Sequence, residues 1–207
     1  MTEEKKKIRI KICGLSRAED IAYVNEAMPD YCGFVINVPK SRRNTVPDQV
    51  RALVQKLSPA IIPVGVFRDE VIDTVEELLQ DGTIRIAQLH GHEDESYIRE
   101  LKSRGDYTVI RAFNETSFDQ AGRSSADYVL LDHAAGGTGE TFDWSLARKV
   151  KRPFFLAGGI GPENLEEALT CVQPWAVDLS SKVETDGRKD REKILAAVQA
   201  VRRWNGQ

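Results

Sequence analysis

Eight short runs of β-branched and aliphatic residues recur along this chain about 20 to 30 residues apart, with amphipathic stretches filling the intervals. The runs lie at 8–13, 32–36, 61–67, 84–89, 107–111, 127–132, 154–158 and 175–180, and the helical patterns at 17–28, 47–57, 70–80, 93–103, 143–149, 162–171 and 189–204. Ser16 reads as an N-cap and Pro162 as a first-turn proline, while 115–125 is interrupted by Ser and Gly and reads as a turn of helix or a loop. Parallel strands need a crossover between them, usually a helix. Strict alternation within 207 residues therefore points to a single (β/α)8 TIM barrel over 1–207, with residues 1–7 as a charged N-terminal tail and an open doubly wound sheet as the alternative.

A barrel makes a second, independent demand. Its working groups stand at the C-terminal ends of the strands and in the loops that follow, so polar residues should collect there and not at the strand starts. They do. The first run ends on Cys13-Gly14, the second leads into Ser41-Arg42-Arg43, the fourth into Gln88-Leu89-His90-Gly91, the sixth ends on Asp132, the seventh on Gly158-Gly159 and the eighth on Asp178-Leu179-Ser180-Ser181. Cys13 sits where a rigid strand would hold a base, although an isolated cysteine is more often a small buried apolar residue. Asp132 ends the apolar run Val129-Leu130-Leu131. Burial favours the protonated form of a carboxyl group, which makes such a residue a candidate general acid. Gly158 and Gly159 open the backbone to an anion, and Ser180 and Ser181 add donors, so these four form a candidate phosphate site. Arg43 offers a guanidinium suited to a carboxylate. His90 reads as hydrogen-bonded structure, and Lys40, Arg42 and His92 as solvated. The Gly136-Gly137-Thr138-Gly139 stretch reads as a binding loop without a Walker ending, and Phe142 and Trp144 as its anchors in the core.

Composition narrows the partners. With 29 Lys plus Arg against 32 Asp plus Glu, the formal charge of −3 gives no basis for a nucleic-acid or membrane surface. A small molecule is the expected partner. The three cysteines, Cys13, Cys32 and Cys171, have neither paired nor metal-ligand spacing, so no metal is expected and the compartment reads as reducing. No signal-peptide core follows the charged N-terminus and no run approaches a membrane span, so a cytoplasmic location is expected.

Taken in order, Lys11-Ile12-Cys13-Gly14, Gly33-Phe34-Val35, Ser41-Arg42-Arg43, Val64-Gly65-Val66-Phe67, Gln88-Leu89-His90-Gly91, Leu130-Leu131-Asp132, Gly136-Gly137-Thr138-Gly139 with Phe142-Asp143-Trp144, Leu156-Ala157-Gly158-Gly159-Ile160 and Val177-Asp178-Leu179-Ser180-Ser181 resemble the phosphoribosylanthranilate isomerases of tryptophan biosynthesis. The resemblance runs from Lys11 to about Asp190. It implies an Amadori rearrangement of an aminoaldose phosphate to an aminoketose phosphate, with Cys13 as general base and Asp132 as general acid. It further implies Arg43 and Asp178 as substrate contacts, and Gly158, Gly159, Ser180 and Ser181 around the phosphate. No cofactor is implied, because the protonated Schiff base formed on ring opening is itself the electron sink. A thiol ordinarily titrates near 8.5, so a working thiolate needs positive potential close by. Lys182 stands where the family usually has glycine, which implies either a backbone cost or an ammonium near the phosphate. A phosphoribosyl aminoaldose isomerase of histidine biosynthesis, or a dual-substrate form, is the alternative enzyme, and a catalytically silent phosphosugar-binding barrel the non-enzyme alternative. The expected assembly is a monomer or homodimer.

Overall fold

The computed structural model describes residues 7–133 and 143–207, and in it the eight runs close into one parallel barrel. The strands are β1 (Arg9–Cys13), β2 (Tyr31–Ile36), β3 (Ile62–Phe67), β4 (Ile86–Leu89), β5 (Thr108–Asn114), β6 (Tyr128–Asp132), β7 (Phe154–Leu156) and β8 (Ala176–Leu179). Each pairs with its chain neighbours, and β1 closes the ring by pairing with both β2 and β8. A two-residue strand, Asn44–Thr45, adds to β2 alone, and an antiparallel hairpin, Glu184–Thr185 with Arg188–Lys189, follows β8. Neither was legible as a strand, being too short to show a period of two.

The side-chain period of two sorts each strand into an inner and an outer face. Ile10 and Ile12 of β1, Cys32 and Phe34 of β2, and Val129 and Leu131 of β6 point outward into the layer beneath the helices, where all are nearly or fully buried. Each fully buried aliphatic side chain of this kind contributes about 1.5–3 kcal/mol of transfer free energy. The inner face holds a smaller second core, Tyr31, Val64, Ile86, Ile110, Leu130, Phe155 and Ala176, one from each strand from β2 to β8. Below that layer Tyr128 stacks on Trp175, and the guanidinium of Arg9 covers the Trp175 ring at 3.5 Å. The barrel is thus filled from its floor upward, and the space left open lies at its C-terminal mouth.

The helices are α1 (Ala18–Ala27), α2 (Pro47–Val54), α3 (Ile72–Gln80), α4 (Glu95–Arg104), α5 (Phe118–Ala121), α6 (Leu165–Val172) and α7 (Arg191–Trp204), with a 3-10 helix at Trp144–Lys149. Burial follows the 3.6 period, as with Ile21, Val24 and Ala27 of α1 and Ile194, Ala197, Val198 and Val201 of α7. The stretch 115–125 supplies the single turn α5, and 143–149 winds as a 3-10 helix. Ser16 does not cap α1. Arg17 is the N-cap residue, and the carboxylate of Asp20 reaches back to accept from the Ser16 and Arg17 amides at 2.9 and 3.0 Å. Ser16 thus lies one residue before the cap, and the carboxylate at N3 supplies the half of a capping box that reaches the N-cap amide. Pro162 precedes α6, which starts at Leu165 after the N-cap residue Asn164. Trp144 is buried in the outer core as its sequence setting suggested. The glycine-rich stretch with Phe142, and residues 1–6 of the charged tail, lie outside the described residues.

Candidate active site

On β1, Arg9 at the floor and then Lys11 and Cys13 toward the mouth face inward, against Ile10 and Ile12 outward. Lys11 is fully buried, an expensive place for an ammonium unless it is paired. Strand register supplies the partner, because Lys11 lies opposite Asp178 of β8, and its Nζ is 2.8 Å from Asp178 Oδ2. The same ammonium reaches the Cys13 thiol. The neighbouring strand makes room: Cys13 lies opposite Gly33, where a Cβ would stand 2.7 Å from Cys13 Sγ and 3.2 Å from Lys11 Nζ.

Two opposing effects act on the thiol. Burial pushes Cys13 above the ordinary thiol range, and Lys11, with Lys189 further off, pulls it partly back. Burial also works against the Lys11 charge, but the Asp178 carboxylate and the Cys13 sulfur outweigh it, and Lys11 is raised to about 12. Free protein therefore holds a protonated thiol beside a permanent ammonium.

Across the barrel, Asp132 ends β6 facing the same space, 7% exposed. Its Oδ1 accepts from the His133 amide at 2.8 Å, and its Oδ2 lies 3.5 Å from His90 Nε2. Gln88, buried on the inner face of β4, approaches His90 Nδ1 at 3.1 Å. The reading of His90 as hydrogen-bonded structure fits these contacts with Gln88 and Asp132.

Gly158 and Gly159 follow β7 with φ of +85° and +63°, a region that side chains rarely adopt. The turn they make runs against Asp132, since a Cβ on Gly158 would lie 3.2 Å from Asp132 Oδ1. Asn164 holds the turn from below, accepting from the Gly161 amide at 2.8 Å and donating to the Gly159 carbonyl at 2.9 Å. Ser180 Oγ donates to the Cys13 carbonyl at 3.1 Å, tying the end of β8 to the end of β1. Asp178 Oδ1 is buried and lacks a partner among the described residues.

Cys13, Arg43, Asp132, Asp178, Gly158, Gly159, Ser180 and Ser181 all line one open cavity of about 910 Å³ at the C-terminal mouth of the barrel. Of the residues read as solvated, His92 is largely exposed and pairs with Asp69, and Arg42 is more than half exposed and pairs with Glu184 at 2.6 Å; both, with Lys40, edge the cavity. Lys182 keeps out of the cavity lining, its Nζ 3.5 Å from Glu163 Oε1.

A closed (β/α)8 barrel with thiol, carboxyl and guanidinium groups gathered on one cavity at its C-terminal mouth has the build of a small-molecule barrel enzyme. Comparison with known proteins narrows the class. Residues 10–200 match the family model of N-(5'phosphoribosyl)anthranilate (PRA) isomerase. A relative in Endomicrobium trichonymphae named N-(5'-phosphoribosyl)anthranilate isomerase is 43% identical over 199 residues, covering 94% of this chain and 98% of the relative. The crystal structure of the phosphoribosyl anthranilate isomerase from Thermus thermophilus is similar with a TM-score of 0.84 at 36% identity, covering 95% of this chain and 100% of that one. A further phosphoribosyl anthranilate isomerase, solved with reduced 1-(o-carboxyphenylamino)-1-deoxyribulose 5-phosphate, gives 0.79 at 32% identity and covers 94% of this chain and 98% of its own. The chain belongs to the phosphoribosylanthranilate isomerase family. It is an isomerase of the aldose–ketose type, of tryptophan biosynthesis.

Proposed function

We propose that Cys13 and Asp132 are the general base and general acid by which this chain converts N-(5-phosphoribosyl)anthranilate to 1-(o-carboxyphenylamino)-1-deoxyribulose 5-phosphate. The observation that carries this reading is their placement: both end barrel strands, β1 and β6, and both face one cavity. Asp132 delivers a proton to the ribose ring oxygen, the C1–O bond opens and the anilino nitrogen becomes part of a protonated Schiff base. Cys13 then removes the C2 proton, the electron pair moves into the iminium, and the resulting enolamine tautomerises to the ketone. Burial holds the thiol protonated at rest, so thiolate formation leans on Lys11 and on the iminium charge that appears only after ring opening.

Arg43 takes the anthranilate carboxylate, and the partnerless Asp178 Oδ1 accepts from the substrate's amine or a sugar hydroxyl. The Gly158-Gly159 turn and Ser180-Ser181 hold the phosphate, supported by the left-handed glycines that leave the backbone uncovered. The partner is a small phosphosugar, with neither nucleic acid nor membrane involved. Among the described residues no helix is long and apolar enough to cross a bilayer. A cytoplasmic location is supported by three cysteines that are all free. Monomer and homodimer are separated by sedimentation of the purified chain.

Turnover followed through loss of anthranilate fluorescence tests the assignment. Wild type is expected to act, and Cys13→Ala and Asp132→Asn to lose about 10³-fold or more in kcat while remaining folded by circular dichroism. A folded variant of either kind with near wild-type kcat removes that residue from the mechanism. A wild type inactive on this substrate, and active on the histidine-pathway aminoaldose, overturns the substrate.

A further inference from the structure

Beneath Arg43 lies a buried carboxylate that the chemistry above does not use. Glu184 begins the hairpin after β8, with its side chain 3% exposed. Arg43 reaches it side-on, Nε donating to Oε1 at 2.6 Å and Nη2 to Oε2 at 3.0 Å. That uses the Nε/Nη2 edge of the guanidinium and leaves its outer edge without a partner among the described residues, the second of the two edges able to grip a carboxylate. The stem of Arg43 is fixed too. It crosses Gly14 so closely that any Cβ at that position would collide with Arg43 Cδ.

The same carboxylate holds a second cation. Lys189, directly opposite Glu184 in the hairpin register, donates from Nζ to Glu184 Oε1 at 2.7 Å and to the Ser180 carbonyl at 2.9 Å. Arg42 adds a third contact at 2.6 Å from the more exposed side. One carboxylate thus faces three cations. The surplus positive charge lies where the cavity lining passes from Arg42 and Arg43 to Ser180 and Ser181.

We infer that Glu184 is a positioning residue: it aims the free edge of Arg43 at the substrate carboxylate and, through Lys189, ties that edge to the Ser180 end of the site. The inference rests on the assignment of Arg43 to the anthranilate carboxylate. The geometry makes Glu184 act on recognition of the carboxylate, with little effect on proton transfer.

The experiment compares two substrates, N-(5-phosphoribosyl)anthranilate and N-(5-phosphoribosyl)aniline, which keeps the sugar phosphate and lacks the carboxylate. Glu184→Asp retains the charge but is one methylene too short to hold Arg43 and Lys189 together. It is expected to raise KM for the anthranilate substrate roughly tenfold while kcat changes less than about threefold, and to leave KM for the aniline substrate within about twofold. Glu184→Gln, which removes the charge and keeps the length, is expected to move the two KM values in the same selective way. In an Arg43→Ala background, Glu184→Asp is expected to add nothing further.

Equal changes for both substrates mark a merely structural role and overturn the inference, as does a lower anthranilate KM in Glu184→Gln, which would make the carboxylate an opponent of the substrate anion. Where Glu184→Gln does not fold, Glu184→Asp carries the same comparison. Failure of the underlying reading looks different. If Arg43→Ala leaves the ratio of the two KM values unchanged, Arg43 does not read the carboxylate and both readings fall. If Arg43→Ala collapses that ratio and Glu184→Asp does not move it, only the role of Glu184 falls.

Discussion

Lys11 Nζ stands 2.8 Å from Asp178 Oδ2, an ion pair made between two residues that the parallel register of β1 and β8 places side by side inside the barrel. Neither partner is more than a few per cent exposed, and the ammonium also touches the Cys13 thiol. Lys11→Met keeps the bulk of the stem and leaves Asp178 charged without its counterion. Breaking a buried pair from one side costs about 3–5 kcal/mol, and because Asp178 borders the open cavity the lower end is expected here, about 3 kcal/mol by urea unfolding. Lys11 is also the strongest influence lowering the thiol, so its removal leaves burial and the Asp178 charge opposed by the more distant Lys189 alone. The pH at which Cys13 becomes reactive to iodoacetamide, read on its own peptide by mass spectrometry, is expected to move upward in Lys11→Met. An unchanged or lower midpoint would show that the ammonium does not stabilise the thiolate.

Gly33 tests the geometry from the facing strand. Its backbone is ordinary extended strand, so alanine is conformationally acceptable, but the new Cβ would stand 2.7 Å from Cys13 Sγ and 3.2 Å from Lys11 Nζ. The thiol has to move. Overpacking of this kind costs about 1–3 kcal/mol of stability, and an ångström of displacement at a reacting group is worth about 10²-fold in rate. Gly33→Ala is therefore expected to fold, to lose about 10²-fold in kcat, and to change KM little. A variant that loses stability without losing kcat would place the reacting atom away from the Cys13–Gly33 contact.

Glu184 gives the protein a handle in acid. Burial works to raise its carboxyl, yet Arg43 and Lys189 outweigh burial and hold it below the ordinary 4.5. A carboxyl lowered on folding stabilises the native state above its unfolded pKa, and the contribution fades as the pH drops through the native value. The urea midpoint of Glu184→Gln is accordingly expected to fall furthest below wild type at neutral pH, and the two curves to converge in strong acid. Burial lowers Lys189, and its pairing with Glu184 works against that lowering. Parallel curves at all pH values would mean that the carboxyl has the same pKa folded and unfolded.

How much of this was legible in the chain depended on whether the signal was periodic. The eight strands show a recurring pattern because each buries an aliphatic outer face under helices, and their observed bounds fall within three residues of the runs. Cys13 and Asp132, which end strands, and Asp178, one residue before the end of its own, were legible for the same reason: their strand periods place them inward at the mouth. What escaped were contacts made by register and by loop closure. Lys11 reads as one charged residue in a run, and only the β1–β8 pairing supplies Asp178. Glu184 and Lys189 sit in a polar stretch with no period, and nothing local shows that a two-residue hairpin brings them together under Arg43. Arg42, read as solvated, is indeed more than half exposed, but an arginine beside another arginine carries no sign of the carboxylate it shares, 142 residues away.

Lys182 is where the chain departs from the pattern it otherwise resembles, and the structure bears out neither of the two consequences of that departure. It is the middle residue of the 3-10 turn Ser181–Val183. Among the described residues the non-glycines with positive φ are Met28, Asn37, Asp69, Gln173 and Asp186, so lysine carries no left-handed strain at 182. Nor does its ammonium line the cavity; it lies on the surface, 3.5 Å from Glu163 Oε1, in a pair whose side chains are 40% and 57% exposed. An exposed pair of that length is worth about 0–1 kcal/mol, and glycine in a helical turn costs up to about 1 kcal/mol in backbone entropy. Lys182→Gly is thus expected to lower the urea midpoint slightly and to keep kcat/KM within about threefold of wild type. Loss of turnover in a folded Lys182→Gly protein would bring the ammonium into the phosphate site after all, and a rise in KM for the phosphosugar with unchanged kcat would locate its action in binding.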